Sequence, residues 1–224
     1  GLIYIRGQAE DYDQWAELGN EGWSFEDVLP YFIKSEGNER GDSQFHGGKG
    51  PLLVSDIGAK HELIEAFIAG AVENGVPRTN DFNGATQEGA GYYQLTTRNG
   101  LRCSTAKGYL TEAKRRPNLH IETDAQATSL VMRGKRVVGV NYVQHGQQKT
   151  AMAGGEVVLS AGAIQSPQLL QLSGIGPRAL LEGLGVPVAH DLPGVGENLQ
   201  DHLQIRLSYE CTKPITTNDQ LNTL

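Results

Sequence analysis

The spacing of apolar residues predicts amphipathic helices in the first half of the chain. Leu63, Phe67 and Ala71 recur at intervals of four residues, which places them on one face of a helix expected over residues 61–74. Ser24 and Asp27 form a Ser-x-x-Asp pattern that is typical of a helix N-terminus. Two further helices are expected, one with Tyr12, Trp15 and Ala16 on one face and its end at Gly19, the other beginning at Ser104 and ending before Pro117. Residues 37–50 are rich in Gly, Asp, Asn and Ser and predict a surface loop.

After Pro117 the helical period gives way to the alternation that is typical of β-strands. Short segments with β-branched residues follow one another with glycines between them, which predicts a small antiparallel meander. The segments are residues 119–122, 128–133, 136–143 and 157–160. A short helix is expected over 178–184. The sequence therefore predicts a mixed α/β (α+β) fold, in which helices precede and follow the meander.

The most specific stretch is 162–177, which reads Gly-Ala-Ile-Gln-Ser-Pro-Gln-Leu-Leu-Gln-Leu-Ser-Gly-Ile-Gly-Pro. It follows the apolar run 157–161, so we expect a strand, a tight turn and a short helix. Pro167 is expected in the first helical turn, and Gly174 just after the helix end. Small residues at the turn leave backbone N–H groups accessible, and flat cofactors and phosphates are commonly held at such points.

Composition limits the class of protein. The chain has 224 residues and 38% hydrophobic content, enough for a substantial core. Its formal net charge of −7, with lysine and arginine spread along the sequence, argues against nucleic acid as a partner. No apolar run reaches the roughly 18 residues that span a bilayer, so we expect no transmembrane segment and a cytoplasmic location, with association at a membrane surface left open. Cys103 and Cys211 predict neither a disulfide framework nor a metal site.

The two ends suggest a piece of a longer protein. The chain begins at Gly1 without a methionine, and it stops at 222–224 without a turn or a polar tail. We therefore expect both ends to lie inside a longer sequence.

Four strings, in family order, resemble the glucose-methanol-choline (GMC) family of flavin-dependent oxidoreductases. They are residues 1–15, residues 92–110 with Arg-Cys-Ser-Thr-Ala inside them, residues 162–177, and residues 196–202, which read Gly-Glu-Asn-Leu-Gln-Asp-His. The resemblance covers essentially the whole chain. It implies the middle part of an FAD-binding domain over residues 1–198, without its N-terminal part, and the start of a substrate domain over residues 199–224.

The resemblance also implies where the cofactor lies. Backbone atoms of Gly1, Leu2 and Ile3 are expected along the flavin. The main chain of Ala127, where the family usually has valine, is expected at the adenine. Ala161 and Gly162 are expected at the adenosine end, where a larger side chain would clash. The family's dinucleotide fingerprint is absent, since the segment 194–199 lacks the third glycine and follows a proline turn.

The activity that the resemblance implies is oxidation of a small-molecule alcohol to a carbonyl by hydride transfer to FAD. The electron acceptor is left open between oxygen and a quinone-type carrier. The family's catalytic histidine lies near the C-terminus of its members, and none of the six histidines here has that context. The base is therefore expected beyond Leu224, and His202, in the last string, is interpreted as structural.

Glu210 is the one substrate-binding candidate. It follows the strand-like segment 205–207 and lies where choline-oxidising members place a carboxylate that faces the trimethylammonium group. A carboxylate beside aromatic surface suits a quaternary ammonium, which cannot donate hydrogen bonds. The alternative is a strand glutamate that faces water or pairs with Lys213. The sequence after Pro214 is more similar to members described generically as alcohol dehydrogenases, so choline is one possibility.

Two alternatives to the flavoenzyme hypothesis remain. Ser104-Thr105-Ala106-Lys107 matches the Ser-x-x-Lys pattern of penicillin-binding proteins and class A β-lactamases, but their companion Ser-Asp-Asn and Lys-Thr-Gly strings are absent. The chain could also be a non-catalytic binding module that uses the meander alone. The presence or absence of flavin absorbance in purified protein separates the binding module from the enzyme.

Overall fold

The structure is a computed structural model, and it describes residues 1–221. The chain divides into two compact units. The first contains Gly1–Leu119 together with the segment that starts at Cys211, and the second contains His120–Glu210. The expected boundary between an FAD-binding part, 1–198, and a substrate part, 199–224, concerns the longer protein and stays a prediction. Residues 222–224, at the end of that second part, lie outside the described residues.

The first unit is built from helices joined by short two-stranded sheets. Strand β1 pairs in parallel with β2, and β3 pairs with β4 as an antiparallel hairpin. The elements are α1 (Ala9–Glu17), α2 (Phe25–Ser35), β1 (Glu36–Asn38), β2 (Leu52–Val54), α3 (Glu62–Glu73), β3 (Thr97–Arg98), β4 (Leu101–Arg102), a π-helical turn (Ala106–Leu110), α4 (Thr111–Ala113) and α7 (Thr217–Leu221).

The helices expected in this unit are confirmed. α1 ends just before Gly19, whose φ of +98° is a backbone conformation that favours glycine. At α2 the Asp27 N–H donates to Ser24 Oγ, and the Ser24 N–H donates to Asp27 Oδ2, which is the reciprocal capping box. α3 lies within the expected range, with His61 as its N-cap and Asn74 as its C-cap. After Ser104 the helix is irregular, since a π-helical turn precedes the three residues of α4.

The expectation of a surface loop over residues 37–50 is wrong for its two ends. Gly37, Asn38, His46 and Gly47 are buried, because the loop folds back against the end of α2. A Cβ atom on Gly47 would overlap the carbonyl oxygen of Ile33. The glycines that suggested a surface loop instead allow two backbone segments to approach closely.

The second unit contains a three-stranded antiparallel meander in the order β5-β6-β7, followed by short helices and a small parallel pair, β8 with β9. The elements are β5 (Ala125–Arg133), β6 (Arg136–Gln144), β7 (Gln147–Met152), α5 (Gly162–Leu172), β8 (Ile175–Gly176), α6 (Arg178–Gly183) and β9 (His190–Asp191). The strands expected at 128–133 and 136–143 and the helix at 178–184 are confirmed.

Two expected strands of the meander are absent from the described residues. Residues 119–122 and 157–160 carry no strand, and the third strand is instead β7, a run of mostly polar residues exposed throughout. A strand forms only where a neighbouring backbone supplies hydrogen bonds, and hydrophobicity alone does not supply that partner. Val158 is accordingly 75% exposed.

The helix of the string 162–177 begins earlier than expected. α5 starts at Gly162, so Pro167 lies inside the helix and not in its first turn. Gly174 follows the helix as expected, with φ +80°, and its N–H donates to the Gln171 carbonyl at 2.9 Å. No helix within residues 1–221 is both long and apolar enough to cross a membrane.

Candidate cofactor site

A glycine in the left-handed region opens helix α5. Ala161, the N-cap residue, has φ −85° and ψ 2°, and Gly162 follows with φ +92°. Residues other than glycine are strained at such a φ, so this turn favours glycine. The methyl side chain of Ala161 cannot cap the helix. Instead, the backbone N–H of Ala161 donates to Ser166 Oγ at 3.0 Å. The turn is therefore ordered by the helix itself and presents backbone at its surface.

The space beside Gly162 suits a flat ligand group. A Cβ atom built on Gly162 would meet no heavy atom of the chain within 4 Å, and both Ala161 and Gly162 are exposed. The N-terminus of an 11-residue helix carries partial positive charge, which favours an anion such as a phosphate. Small side chains, accessible backbone and a helix N-terminus together fit the adenosine end of FAD.

The packing of the second unit fixes α5 relative to the meander. Leu169 of α5 belongs to the buried cluster that also contains Leu130, Ile175 and Val195. Ser173, which follows α5, accepts a hydrogen bond from the Leu130 N–H at 2.8 Å and donates to the Leu169 carbonyl at 2.6 Å. The turn at Gly162 therefore stands on a helix that is tied to strand β5.

Ala127 lies on the strand against which α5 packs. It is opposite Tyr142 on β6, at a break in the pairing register between Ala127 and Ser129. A break of this kind re-aims the backbone, which suits the expected main-chain contact with an adenine. Ala127 also lines a shallow cavity of about 250 Å³ on the meander, with Ala125, Val140, Tyr142 and Ala151 among the other lining residues.

Gly1, Leu2 and Ile3 belong to the first unit, whereas Ala127, Ala161 and Gly162 belong to the second. Ile3 bridges to Leu95 in antiparallel orientation. The Leu2 carbonyl accepts a hydrogen bond from the Thr96 N–H at 2.7 Å and another from Thr96 Oγ1 at 3.2 Å. The segment is thus held as an extended chain along residues 94–96, with Gly1 and Ile3 exposed.

Glu210 is exposed and lies in a segment without regular secondary structure. The strand expected at 205–207 is absent there, and Ile205 is 81% exposed. The ion pairs found within residues 1–221 do not include one between Glu210 and Lys213. The role of Glu210 therefore stays a prediction.

The serine of the Ser-x-x-Lys pattern has a local structural role. Ser104 Oγ accepts a hydrogen bond from the backbone N–H of Lys107 at 3.2 Å, at the start of the π-helical turn, and both residues are exposed. This is the capping role expected for Ser104, and it accounts for the pattern without a nucleophile.

Sequence reasoning missed a buried network of polar side chains in the first unit. Glu36 is fully buried and accepts hydrogen bonds from Arg6 Nη2 at 2.6 Å, from Asn38 Nδ2 at 2.9 Å and from His46 Nδ1 at 3.0 Å. His46 Nε2 bonds Asp81 Oδ2 at 3.0 Å. We call Arg6, Glu36, Asn38, His46, Asp81 and Gln94 the Glu36 network.

The charges of the Glu36 network balance when His46 is protonated. Each ring nitrogen of His46 faces a carboxylate, so both must donate. The hydrogen bond to Glu36 raises the pKa of His46 above its usual range, burial opposes the shift and Asp81 reinforces it. Burial likewise raises the pKa of Tyr4, against the opposing influence of Arg6. His46 thus carries the second positive charge, beside Arg6, that compensates Glu36 and Asp81.

Raising the pH should weaken the fold through His46. The folded-state pKa of His46 is raised above the ordinary value of about 6.5. The stabilisation that the protonated ring contributes is therefore complete below the ordinary pKa, about pH 6.5. It is lost as the pH rises through the folded-state pKa. In urea unfolding of the full-length protein at a series of pH values, the free energy of unfolding should fall over this range. His46→Gln should remove that fall and cost about 1.5–3 kcal/mol below pH 6.5, as expected for hydrogen bonds to charged groups.

His120 provides the matched control for this experiment. It pairs with Glu122 at 2.6 Å but is 84% exposed, so His120→Gln should keep the pH dependence of the wild type. Equal pH dependence in the wild type and in His46→Gln would contradict the protonated state assigned to His46.

Comparison with known proteins identifies relatives along nearly the whole chain. A family model described as GMC oxidoreductase matches residues 1–204. The oxygen-dependent choline dehydrogenase of Pseudomonas putida strain KT2440 is 52% identical over 221 residues, which cover 96% of this chain and 39% of that protein. Oxygen-dependent choline dehydrogenase 1 of Chromohalobacter salexigens is 50% identical over 219 residues, with the same coverage. The chain thus spans about two fifths of the length of these curated relatives.

Solved structures show the same fold. An FAD-dependent oxidoreductase from Chaetomium thermophilum superposes with a TM-score of 0.82 at 35% identity, over 89% of this chain and 37% of that chain. Pyridoxine 4-oxidase from Mesorbium loti gives a TM-score of 0.80 at 34% identity, over 90% of this chain and 40% of that chain.

Proposed function

The chain belongs to the GMC oxidoreductase family, and from that membership we propose that the full-length protein oxidises choline to an aldehyde with FAD as its cofactor. The observation that carries the proposal is the 52% identity, over 96% of the chain, to a protein named oxygen-dependent choline dehydrogenase. The aligned region, which covers 96% of the chain, takes in the string that opens α5 and the segment that contains Glu210. The wider reaction class is oxidation of the CH–OH group of a small alcohol.

FAD, when bound, accepts a hydride from the alcohol carbon. The role proposed for this chain is to hold and orient that cofactor. The backbone at Ala161 and Gly162 would accommodate the adenosine end, where the N-terminus of α5 and the open space beside Gly162 support the assignment. The main chain of Ala127 would meet the adenine, and the backbone of Gly1, Leu2 and Ile3 would lie along the flavin.

The proton of the alcohol needs a base, and we propose that none of the six histidines of this chain supplies it. In the structure His46 is bonded to two carboxylates, and His61 Nδ1 accepts from the Leu63 N–H at the start of α3. His202, in the Asn-Leu-x-Asp-His string, is exposed, and its backbone N–H donates to Asp201. We therefore place the base in the part of the full-length protein beyond Leu224.

The electron acceptor is proposed to be oxygen, because the name of the curated relatives includes oxygen dependence. A quinone-type carrier is the alternative. Oxygen uptake that follows choline oxidation, measured with and without an added quinone, separates the two.

Glu210→Gln in the full-length protein tests whether the substrate is a quaternary ammonium. The change keeps the shape of the side chain and removes its charge. An ammonium–carboxylate pair a few ångströms apart is worth on the order of a few kcal/mol before desolvation is subtracted. We expect choline binding to weaken by about 1–3 kcal/mol, a roughly 5- to 150-fold rise in its dissociation constant. The uncharged isostere of choline, with a tert-butyl group in place of trimethylammonium, should bind almost unchanged.

Glu156→Gln is the control for this substitution. Glu156 is exposed and lies outside the expected substrate segment, 199–224, so its neutralisation should leave both dissociation constants unchanged. If Glu210→Gln shifts choline and the isostere in parallel, Glu210 is a solvated surface residue and the ammonium contact must be sought elsewhere.

A further inference from the structure

The Glu36 network is more elaborate than stability alone requires. The Glu36 side chain is 0% exposed and Arg6 is 3% exposed, and their charged groups lie 2.6 Å apart. Burial of an ion pair is seldom more stabilising than burial of apolar side chains of the same volume, because both charges lose their hydration. An ion pair instead fixes the direction of the groups that it joins. The question is therefore which part of the fold this network orients.

Arg6 connects the network to the segment that starts the chain. Its Nη1 donates to the Phe45 carbonyl at 2.7 Å, while its Nη2 donates to Glu36. The guanidinium also lies over the ring of Phe32, 5.1 Å from its centre. A planar group held on several sides has one orientation, so Arg6 fixes the position of its own backbone.

Gln94 provides a second connection to the same segment. Its side chain exchanges hydrogen bonds with the amide of Asn38, at 2.8 and 3.1 Å, and Asn38 in turn donates to Glu36. The backbone carbonyl of Gln94 accepts from the Tyr4 N–H at 2.8 Å. Two residues further on, Thr96 bonds the carbonyl of Leu2. The network thus sets residues 94–96, along which the start of the chain is aligned.

Asp81 closes the network on the other side of the segment. It bonds His46 through Oδ2, and its Oδ1 accepts from the Asn83 N–H at 2.9 Å. Asn83 in turn holds the first segment at two points, since its Oδ1 accepts from the Arg6 N–H at 2.7 Å and its Nδ2 donates to the Tyr4 carbonyl at 3.1 Å. Residues 2–6 are therefore held from both sides by groups that meet at Glu36 and His46.

From this arrangement we infer that the Glu36 network positions Gly1, Leu2 and Ile3 for their contact with the flavin, so that Glu36 is a positioning residue of the cofactor site. The inference rests on the proposed function, which places these three residues along the isoalloxazine. Glu36 is well removed from that contact in sequence and acts through Arg6 and Asn38. Its two oxygens accept from at least three side chains at once, which an amide with one acceptor oxygen cannot do.

Glu36→Gln in the full-length protein tests the inference. The amide nitrogen of the glutamine would face donors, so Arg6 or His46 would lose an acceptor. Residues 2–6 would then lose their fixed position. We expect the dissociation constant for FAD, measured by titration of the apoprotein, to rise at least tenfold. The visible absorption and circular dichroism bands of the remaining bound flavin should shift, because its surroundings have changed.

Ile68→Ala provides a destabilised control in the same unit. Ile68 is 2% exposed in α3 and takes no part in the network, so its truncation lowers stability without touching residues 1–6. It should bind FAD with the wild-type dissociation constant and spectrum. Arg6→Lys is the milder companion if Glu36→Gln does not fold. Lysine keeps the positive charge but loses the planar fork of the guanidinium. We expect a roughly threefold to tenfold rise in the dissociation constant for FAD.

The outcomes separate the inference from the function on which it rests. If Glu36→Gln binds flavin with the wild-type affinity and spectrum, the inference is overturned and the proposed function stays intact. If Glu36→Gln does not fold, the same result in Arg6→Lys overturns the inference. The same changes in Ile68→Ala as in Glu36→Gln would also overturn it, since general destabilisation would then explain them. Wild-type protein that binds no flavin would overturn both.

Discussion

Gly162→Val in the full-length protein is expected to abolish the retention of FAD while the fold persists. The Cβ atom and its two methyl groups would occupy the open space beside the α5 turn, where the adenosine end is proposed to lie. Valine at φ +92° also strains the turn. We expect the dissociation constant for FAD to rise about 100-fold or more, a loss of about 2.8 kcal/mol at 1.4 kcal/mol for each factor of ten. Flavin content after purification and titration of the apoprotein measure the effect.

Gly134→Val separates the loss of ligand space from backbone strain. Gly134, in the turn between β5 and β6, has φ +61°, and a Cβ atom there would also meet nothing within 4 Å. Both substitutions place valine at a positive φ in the same unit, and Gly134→Val should retain its flavin. A Gly162→Val protein with full flavin content and normal activity would contradict the assignment of this turn.

Residues 1–224 by themselves are expected to oxidise no alcohol. The sequence contains neither the Gly-x-Gly-x-x-Gly fingerprint between a strand and a helix nor a histidine in the context of the family's base. Loss of a positioned base alone typically costs about 10²–10⁴-fold in rate. Alcohol-dependent dye reduction, measured for the purified chain and for the full-length protein at equal concentration, tests this. Steady turnover by the isolated chain would show that the active site has been misplaced.

Local signals in the sequence predicted the helices correctly. The capping pair Ser24 and Asp27 and the glycine after α5 act within a few residues of their own position, so their effect can be recognised from spacing alone. The same holds for the turn at Gly162, where a run of small residues marks the start of α5 and the glycine adopts a φ of +92°. The turn and the helix α5 could therefore be predicted from the sequence, although the exact start of the helix could not.

The Glu36 network could not be predicted from the sequence, because its members are brought together by tertiary contacts. Along residues 3–6 the usual alternation is inverted: Tyr4 and Arg6 are buried, at 9% and 7% exposure, while Ile3 and Ile5 are 55% and 38% exposed. A hydrophobicity pattern assigns the isoleucines to the interior and leaves Arg6 at the surface. The partner that justifies burial of Arg6 is 30 residues away, and spacing does not reveal it.

The three strands wrongly expected at 119–122, 157–160 and 205–207 have a common explanation. Their β-branched and alternating residues satisfy the local requirements of a strand, but a strand also needs a neighbouring backbone. Leu203 and Ile205 are 95% and 81% exposed.

Anaerobic addition of choline to the purified full-length protein tests whether it is a flavin-dependent choline oxidoreductase. We expect the protein to carry the yellow absorbance of oxidised flavin and choline to bleach it. Readmitted acceptor should restore the absorbance while an aldehyde accumulates in proportion. A protein with a full complement of flavin that stays yellow with choline and with other small alcohols, or one that holds no flavin, would contradict the account.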